Sequence, residues 1–181
     1  MADLQPAEPL VGIYPLDSVH ALVHYDDASR PFIADLKFRG SWATARTLAP
    51  GLAFVIDDFI GLYGTDLLLT WAPTTKNRVR ERGFDQAEVL AREVANCTGL
   101  QVRRTLARRS SIHQTGRTRR ERAEGVAYEA IGPVTGPIIL FDDVVTTGAT
   151  LRAAGGALRE AGADSVMAVA LAATPDRSQT A

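Results

Sequence analysis

IILFDDVVTTGAT, residues 138–150, sets a four-residue apolar run ahead of two adjacent carboxylates, then gathers hydroxyls around one glycine. The run Ile138–Phe141 reads as a buried strand. In an open parallel sheet, ligands sit beyond the carboxyl ends of the strands, and Asp142 and Asp143 lie at such an end. VVTTGAT then feeds a helix predicted from about Thr150 to Ala161, with Leu151, Ala154, Gly155 and Leu158 on one face and Gly162 as its stop. Backbone N–H groups at a helix N-terminus and the helix dipole favour an anion. Thr146, Thr147 and Thr150 add hydroxyl donors, and Gly148 permits close backbone approach. Thr146, Thr147, Gly148, Ala149 and Thr150 are thus the expected phosphate cradle. A Walker A loop is excluded, because its G-x-x-x-x-G-K-[ST] pattern and lysine are absent.

The carboxylates need another partner. A bare acid pair repels phosphate, so it addresses something neutral or cationic: a ribose diol or a magnesium ion. A ribose 5-phosphate with magnesium beside it presents all three groups together. Neighbours on a strict strand point to opposite faces. Both acids reach one diol only if the chain bends at Asp142; otherwise one has another job. The competing structural reading is a turn and a helix cap.

The flanking sequence extends the same pattern. A strand is expected around Val19–Tyr25, a short helix over Ala28–Phe38, and two helical pieces within Trp42–Tyr63 divided at Pro50-Gly51. DLLLTWA (66–72) reads as a buried strand and PTTKNRVRERG (73–83) as a loop. FDQAEVLAREVANCTG is helical, with Ala87, Leu90, Ala91, Val94 and Ala95 in one stripe and Gly99 at its end. LQVRRTL (100–106) and VAYEA (126–130) are short strand candidates, and SVMAVALAA (165–173) is a buried strand. Strands alternating with helices argue for an α/β fold: a mostly parallel sheet with helices on both faces. The expected organisation is one domain over residues 11–173, with tails at 1–10 and 174–181. Trp42 and Trp71 are expected in the core.

Composition narrows the class. Apolar residues make up 46% of the 181, enough for a core, and the net charge of −1 excludes a polycation. Cys97 is the single cysteine, which rules out an intrachain disulfide or a cysteine-cluster zinc site. It is expected as a small packing residue on its helix. His20 and His24 fall on one strand and read as packing or surface residues, and His113 completes no ligand set. The N-terminus lacks the basic start and apolar centre of a secretory signal. The longest apolar run, Val166–Ala173, is too short to span a bilayer. The expectation is a cytoplasmic protein with no membrane partner.

At Asp142–Thr150 the sequence resembles the phosphoribosyl pyrophosphate (PRPP) signature of the type I phosphoribosyltransferases. RERGFDQAEVLAREVA (80–95), HYDDASRPFIADLKFRG (24–40), Gln114 and Arg122 resemble its competence-protein F (ComF-like) branch. The resemblance covers about residues 19–173. It implies a type I phosphoribosyltransferase-like fold, ribose and water-mediated Mg2+ contacts at Asp142 and Asp143, and the 5-phosphate on residues 146–150. It also implies a pyrophosphate loop at Thr74, Thr75 and Lys76, with Arg82, Gly83, Phe84, Asp85 and Gln86 as a branch motif. Three departures stand out. The four-cysteine zinc module common at the start of ComF-like proteins is absent, Asp85 and Gly125 occupy positions where asparagine is usual or frequent, and Thr146 replaces the carboxylate that purine-salvage members place beside the base.

The function this implies is magnesium-dependent PRPP binding and phosphoribosyl transfer to an unidentified acceptor, with release of pyrophosphate. No general base is identifiable in the sequence. The alternative is a non-catalytic nucleotide-binding protein in DNA uptake or recombination, with single-stranded DNA or an uptake protein as partner. A homodimer is compatible with either. Eight arginines lie between Arg103 and Arg122. With Arg78, Arg80 and Arg82 they read either as a mobile flap, over 107–125, closing on pyrophosphate (Arg108, Arg109, Gln114, Arg119, Arg122), as a nucleic-acid patch, or as a solvated charged loop. No aromatic residue lies between Phe84 and Tyr128, which disfavours a single-strand stacking platform.

Overall fold

A computed structural model describes residues 7, 13–38, 42–109 and 126–174 of the chain. Five strands form one sheet: β1 (Ser18–His24), β2 (Leu68–Trp71), β3 (Gln101–Val102), β6 (Pro137–Val145) and β7 (Ser165–Ala173). Their order is β1-β7-β6-β2-β3, and every pairing is parallel. The strand opened by Ile138 is therefore central. β4 (Leu106–Arg108) and β5 (Tyr128–Ala130) form a separate antiparallel pair.

The helices are α1 (Arg30–Phe38), α2 (Trp42–Val55), α3 (Asp57–Tyr63), α4 (Lys76–Arg82), α5 (Gln86–Thr98) and α6 (Ala149–Glu160). Two cores result from the two-residue period of the central strands. Leu69, Trp71, Ile139, Phe141, Met167 and Val169 pack on one face with Leu36, Leu52, Leu90 and Val94 from α1, α2 and α5. Ile138, Leu140, Val166, Ala168 and Ala170 pack on the other with Leu151, Ala154 and Leu158 from α6. The expected layering is what forms.

The period slips at one level of the sheet. Phe141 and Val144, three positions apart, pack against the same core, while Val145 packs in the opposite one. Leu171 and Ala172 are sequence neighbours in one core, and Ala173 returns to the other. On β1, Ala21 and Val23 lie in different cores. The ladders step from Ala21–Ala170 to Val23–Ala172, and from Asp142–Ala170 to Val144–Ala172. All three strands slip together, so register survives while side-chain direction changes.

Other elements depart from the sequence reading. β6 continues through both acids to Val145 instead of ending at Phe141. Residues 76–82 are helix rather than loop, held by Thr75 at the N-cap and left-handed Gly83 at the C-cap. The division in the 42–63 region falls at Ile56, not at Pro50-Gly51, with a 54° bend. A Cβ at Gly51 would stand 3.1 Å from the Leu22 side chain, so this glycine lets β1 approach α2. Residues 106–108 form a strand, so the first two residues of the expected 107–125 flap, Ala107 and Arg108, are strand, and 110–125 lie outside the described residues. Trp71 is buried, but Trp42 is 47% exposed at the first position of α2, and Cys97 lies on the solvent face of α5. His20 packs edge-on against Phe59 with ring centroids 5.2 Å apart, as a packing residue would. No single helix among the described residues is long and apolar enough to cross a membrane.

Candidate functional site

A cleft of about 430 Å3 opens at the carboxyl ends of β2 and β6. Its floor is β6: Asp142, Asp143 and Val144 all line it. Three consecutive residues facing one cavity is what the slip in the strand produces, and it supplies the bend that both acids require. β2 makes its last ladder pair at Trp71–Phe141. Beyond it the carboxylates hold the backbone themselves: Asp143 N–H donates to Asp142 Oδ1 at 2.8 Å, and Val144 N–H to Asp143 Oδ1 at 2.8 Å. Asp142 is 9% exposed. Burial pushes its acid well above the usual carboxylate range, and the neighbouring Asp143 charge pushes the same way. The pair resists carrying two full charges until a counter-charge or a set of donors arrives.

Thr146 and Thr150 bring hydroxyls to the same cleft. Thr147 turns to local work, its Oγ1 accepting from Ala149 N–H at 3.4 Å. Gly148 caps α6 in the left-handed region, φ 70°, and offers no side-chain cap to the helix. A Cβ there would fall 2.9 Å from Ile13 Cδ1. The close approach that this glycine permits is therefore to Ile13.

The opposite wall comes from the 72–87 segment. Thr74 lines the cleft, and its N–H donates to Asp85 Oδ2 at 2.7 Å. Asp85 Oδ1 caps α5 by accepting from Ala87 N–H at 3.2 Å. One buried side chain thus ties the loop after β2 to the start of α5. Burial raises the Asp85 pKa, and these backbone donors oppose the rise. Arg78, Arg82 and Gln86 complete the wall. Thr75 is engaged as the α4 cap, accepting from Arg78 N–H at 3.3 Å, and Lys76 does not line the cleft. Gly83 closes α4, and Phe84 packs against the core.

Arg108 reaches the rim from β4. Its Nη1 donates to Tyr128 Oη at 3.3 Å, and its guanidinium carbon lies 5.7 Å from that ring's centroid. Tyr128 Oη donates to Pro73 O at 3.2 Å, fastening β5 to the loop below. Arg109 points elsewhere, paired with Glu129 at 2.8 Å. Gln114, Arg119 and Arg122 lie outside the described residues. The cleft is bipolar, with arginines on the α4 and β4 side and acids on the β6 floor. Tyr25 and Tyr128 were not among the residues expected here; they arrive from separate elements, and no local motif announces them.

Among the described residues, no group of three or more His, Cys, Asp or Glu side chains could hold a metal ion. Two adjacent carboxylates suit magnesium only in the manner usual for that ion, through waters and shared ligand oxygens.

No protein-family model matches the chain. It is 27% identical over 157 residues to competence protein ComFC from Streptococcus pneumoniae, covering 85% of this chain and 67% of that one. Among solved structures, it aligns with glutamine PRPP amidotransferase from B. subtilis, with a TM-score of 0.49, 19% identity, and coverage of 77% of this chain and 30% of that one. It also aligns with purine phosphoribosyltransferase from Pyrococcus horikoshii, with a TM-score of 0.42, 15% identity, and coverage of 70% and 73%. Phosphoribosylpyrophosphate synthetase from Mycobacterium smegmatis gives a TM-score of 0.42 at 22% identity, and the chain spans 33% of that structure. The expected resemblance to a ComF-like protein is borne out by the competence-protein relative, and the expected mostly parallel α/β sheet by the strand pairings.

Proposed function

We propose that this ComF-like chain binds PRPP with magnesium in the cleft above β6 and transfers its phosphoribosyl group to an acceptor, releasing pyrophosphate. One observation carries the reading: Asp142 and Asp143 open into the same cavity as Thr146, Thr150 and Thr74. Hydroxyl-bearing and anionic groups of one ligand would meet matching partners there. Asp142 and Asp143 accept from the ribose hydroxyls, and a diol that donates to both stabilises the second negative charge. Thr146 and Thr150, at the start of α6, receive the 5-phosphate. Thr74 and the arginine wall face the leaving pyrophosphate. Magnesium, held through Asp142 and Asp143 and the ligand's own oxygens, would supply charge neutralisation. The protein's contribution is positioning and electrostatics: the bond from ribose C1 to pyrophosphate breaks, and the acceptor takes C1.

Titration calorimetry with PRPP, with and without magnesium, tests this on wild type and on Asp142→Asn/Asp143→Asn. Binding that needs magnesium and is lost in the double variant supports the site. Equal affinity in both proteins refutes it.

The similarity to a competence protein favours a second reading, a nucleotide-binding protein in DNA uptake that does not turn over. Both readings expect PRPP binding. Only transfer predicts pyrophosphate release when candidate acceptor bases are added.

A further inference from the structure

Gln86 is the first residue of α5, 2% exposed, and lines the cleft. Its Oε1 accepts from Arg82 Nη1 at 3.1 Å. Its Nε2 is buried with no hydrogen-bond partner. A guanidinium offers donors only, so it fixes which end of the amide faces it. The oxygen belongs to Arg82, which leaves the Nε2 donors unspent. Buried donors are rarely left this way, and each such group calls for an explanation.

The surroundings define the missing acceptor. Arg78 lines the same wall, and Arg108 reaches the rim. Both Asp85 oxygens already accept from Thr74 and Ala87 N–H groups. The N-terminus of α5, a 13-residue helix, adds its partial positive charge. Donors flanked by guanidiniums at a helix start call for an anionic oxygen. Lys76, the one lysine of this loop, does not line the cavity.

We propose that Gln86 Nε2, with Arg78 and Arg82, forms the donor set for a phosphoryl oxygen of the ligand's diphosphate. The assignment rests on the PRPP reading and gives the Arg82–Gln86 motif a binding role. Gln86 acts by touching the ligand, and Arg82 acts partly by holding the amide's direction.

The test is calorimetry with three probes: PRPP, inorganic pyrophosphate and ribose 5-phosphate. Gln86→Met keeps the volume and removes the amide. Gln86→Glu keeps the Arg82 partner and turns donors into a charged acceptor. Arg78→Met changes an exposed position, so folding is not at stake. The expected result is a loss of about ten-fold in PRPP and pyrophosphate affinity for Gln86→Met and Arg78→Met, and a larger loss for Gln86→Glu. Ribose 5-phosphate affinity should stay within about two-fold throughout. PRPP binding that is equal in wild type and all three variants overturns the donor set and leaves the PRPP site standing. Wild type that binds pyrophosphate through Gln86 but not PRPP sinks the PRPP reading and keeps the donor set. Binding of neither probe sinks both.

Discussion

Replacing Tyr128 by phenylalanine would test how the cleft rim is fastened. The side chain is 8% exposed, donates to Pro73 O at 3.2 Å and accepts from Arg108 at 3.3 Å. Deleting the hydroxyl at neutral pH leaves a buried carbonyl short of its donor, at a cost of about 1–3 kcal/mol. The same burial raises the phenol pKa from 10.0 to about 12, against the pull of the nearby Arg108 charge. The folded state therefore holds this proton more tightly than the unfolded chain does. The stabilisation is complete below pH 10 and is lost as pH rises through 12. Two pKa units correspond to about 2.7 kcal/mol, of which roughly half, ~1.4 kcal/mol, is gone by pH 11. Tyr128→Phe has no such proton to lose. Urea unfolding of both proteins from pH 8 to pH 11 would show the stability gap closing by about 1.4 kcal/mol. Taking the difference cancels the lysine and arginine titrations that the two proteins share. A gap that stays constant over that range would refute the argument that Tyr128 is held neutral by its site.

Three further outcomes are expected. Asp142→Asn should melt higher than wild type and bind PRPP roughly ten- to a hundred-fold more weakly, because the buried acid opposes folding while serving the ligand. Its pH profile carries the sign: wild-type stability falls as pH rises from the ordinary carboxylate range through the raised Asp142 pKa, and thermal melts of the Asn variant lack that fall. Gly148→Ala should cost about 1–2 kcal/mol from its φ of 70° alone, plus the clash with Ile13; pairing it with Ile13→Ala should recover only the steric share in chemical denaturation. Asp85→Ala removes a helix cap and the Thr74 anchor together, so a loss of about 1–3 kcal/mol should accompany weaker pyrophosphate binding by calorimetry.

The elements legible in advance were those with strong local pattern. The run Ser165–Ala173 is apolar almost throughout, the stripe from Ala87 to Ala95 keeps one helical period, and Gly99 marks its helix end by left-handed φ. α4 escaped because Val79 is its only apolar residue, so no stripe exists to detect. Its signal lay in the brackets, Thr75 before and Gly83 after. β6 was read short because aspartates are poor strand formers; its last four residues stay extended because β7 continues alongside them. In the site, Asp142, Asp143, Thr146 and Thr150 were legible from chemistry packed into one short segment. Tyr25 follows the end of β1 and Tyr128 belongs to β5, and only tertiary packing brings them to one cavity with Arg78 and Arg108.

The offset shared by β1, β7 and β6 has a consequence for how such a scaffold diverges. Which way the two acids point is set jointly: three strands skip one rung together, and each carboxylate accepts from the N–H that follows it. An exchange that keeps a side-chain acceptor at these positions keeps both supports. One that removes it leaves the aim to the sheet alone.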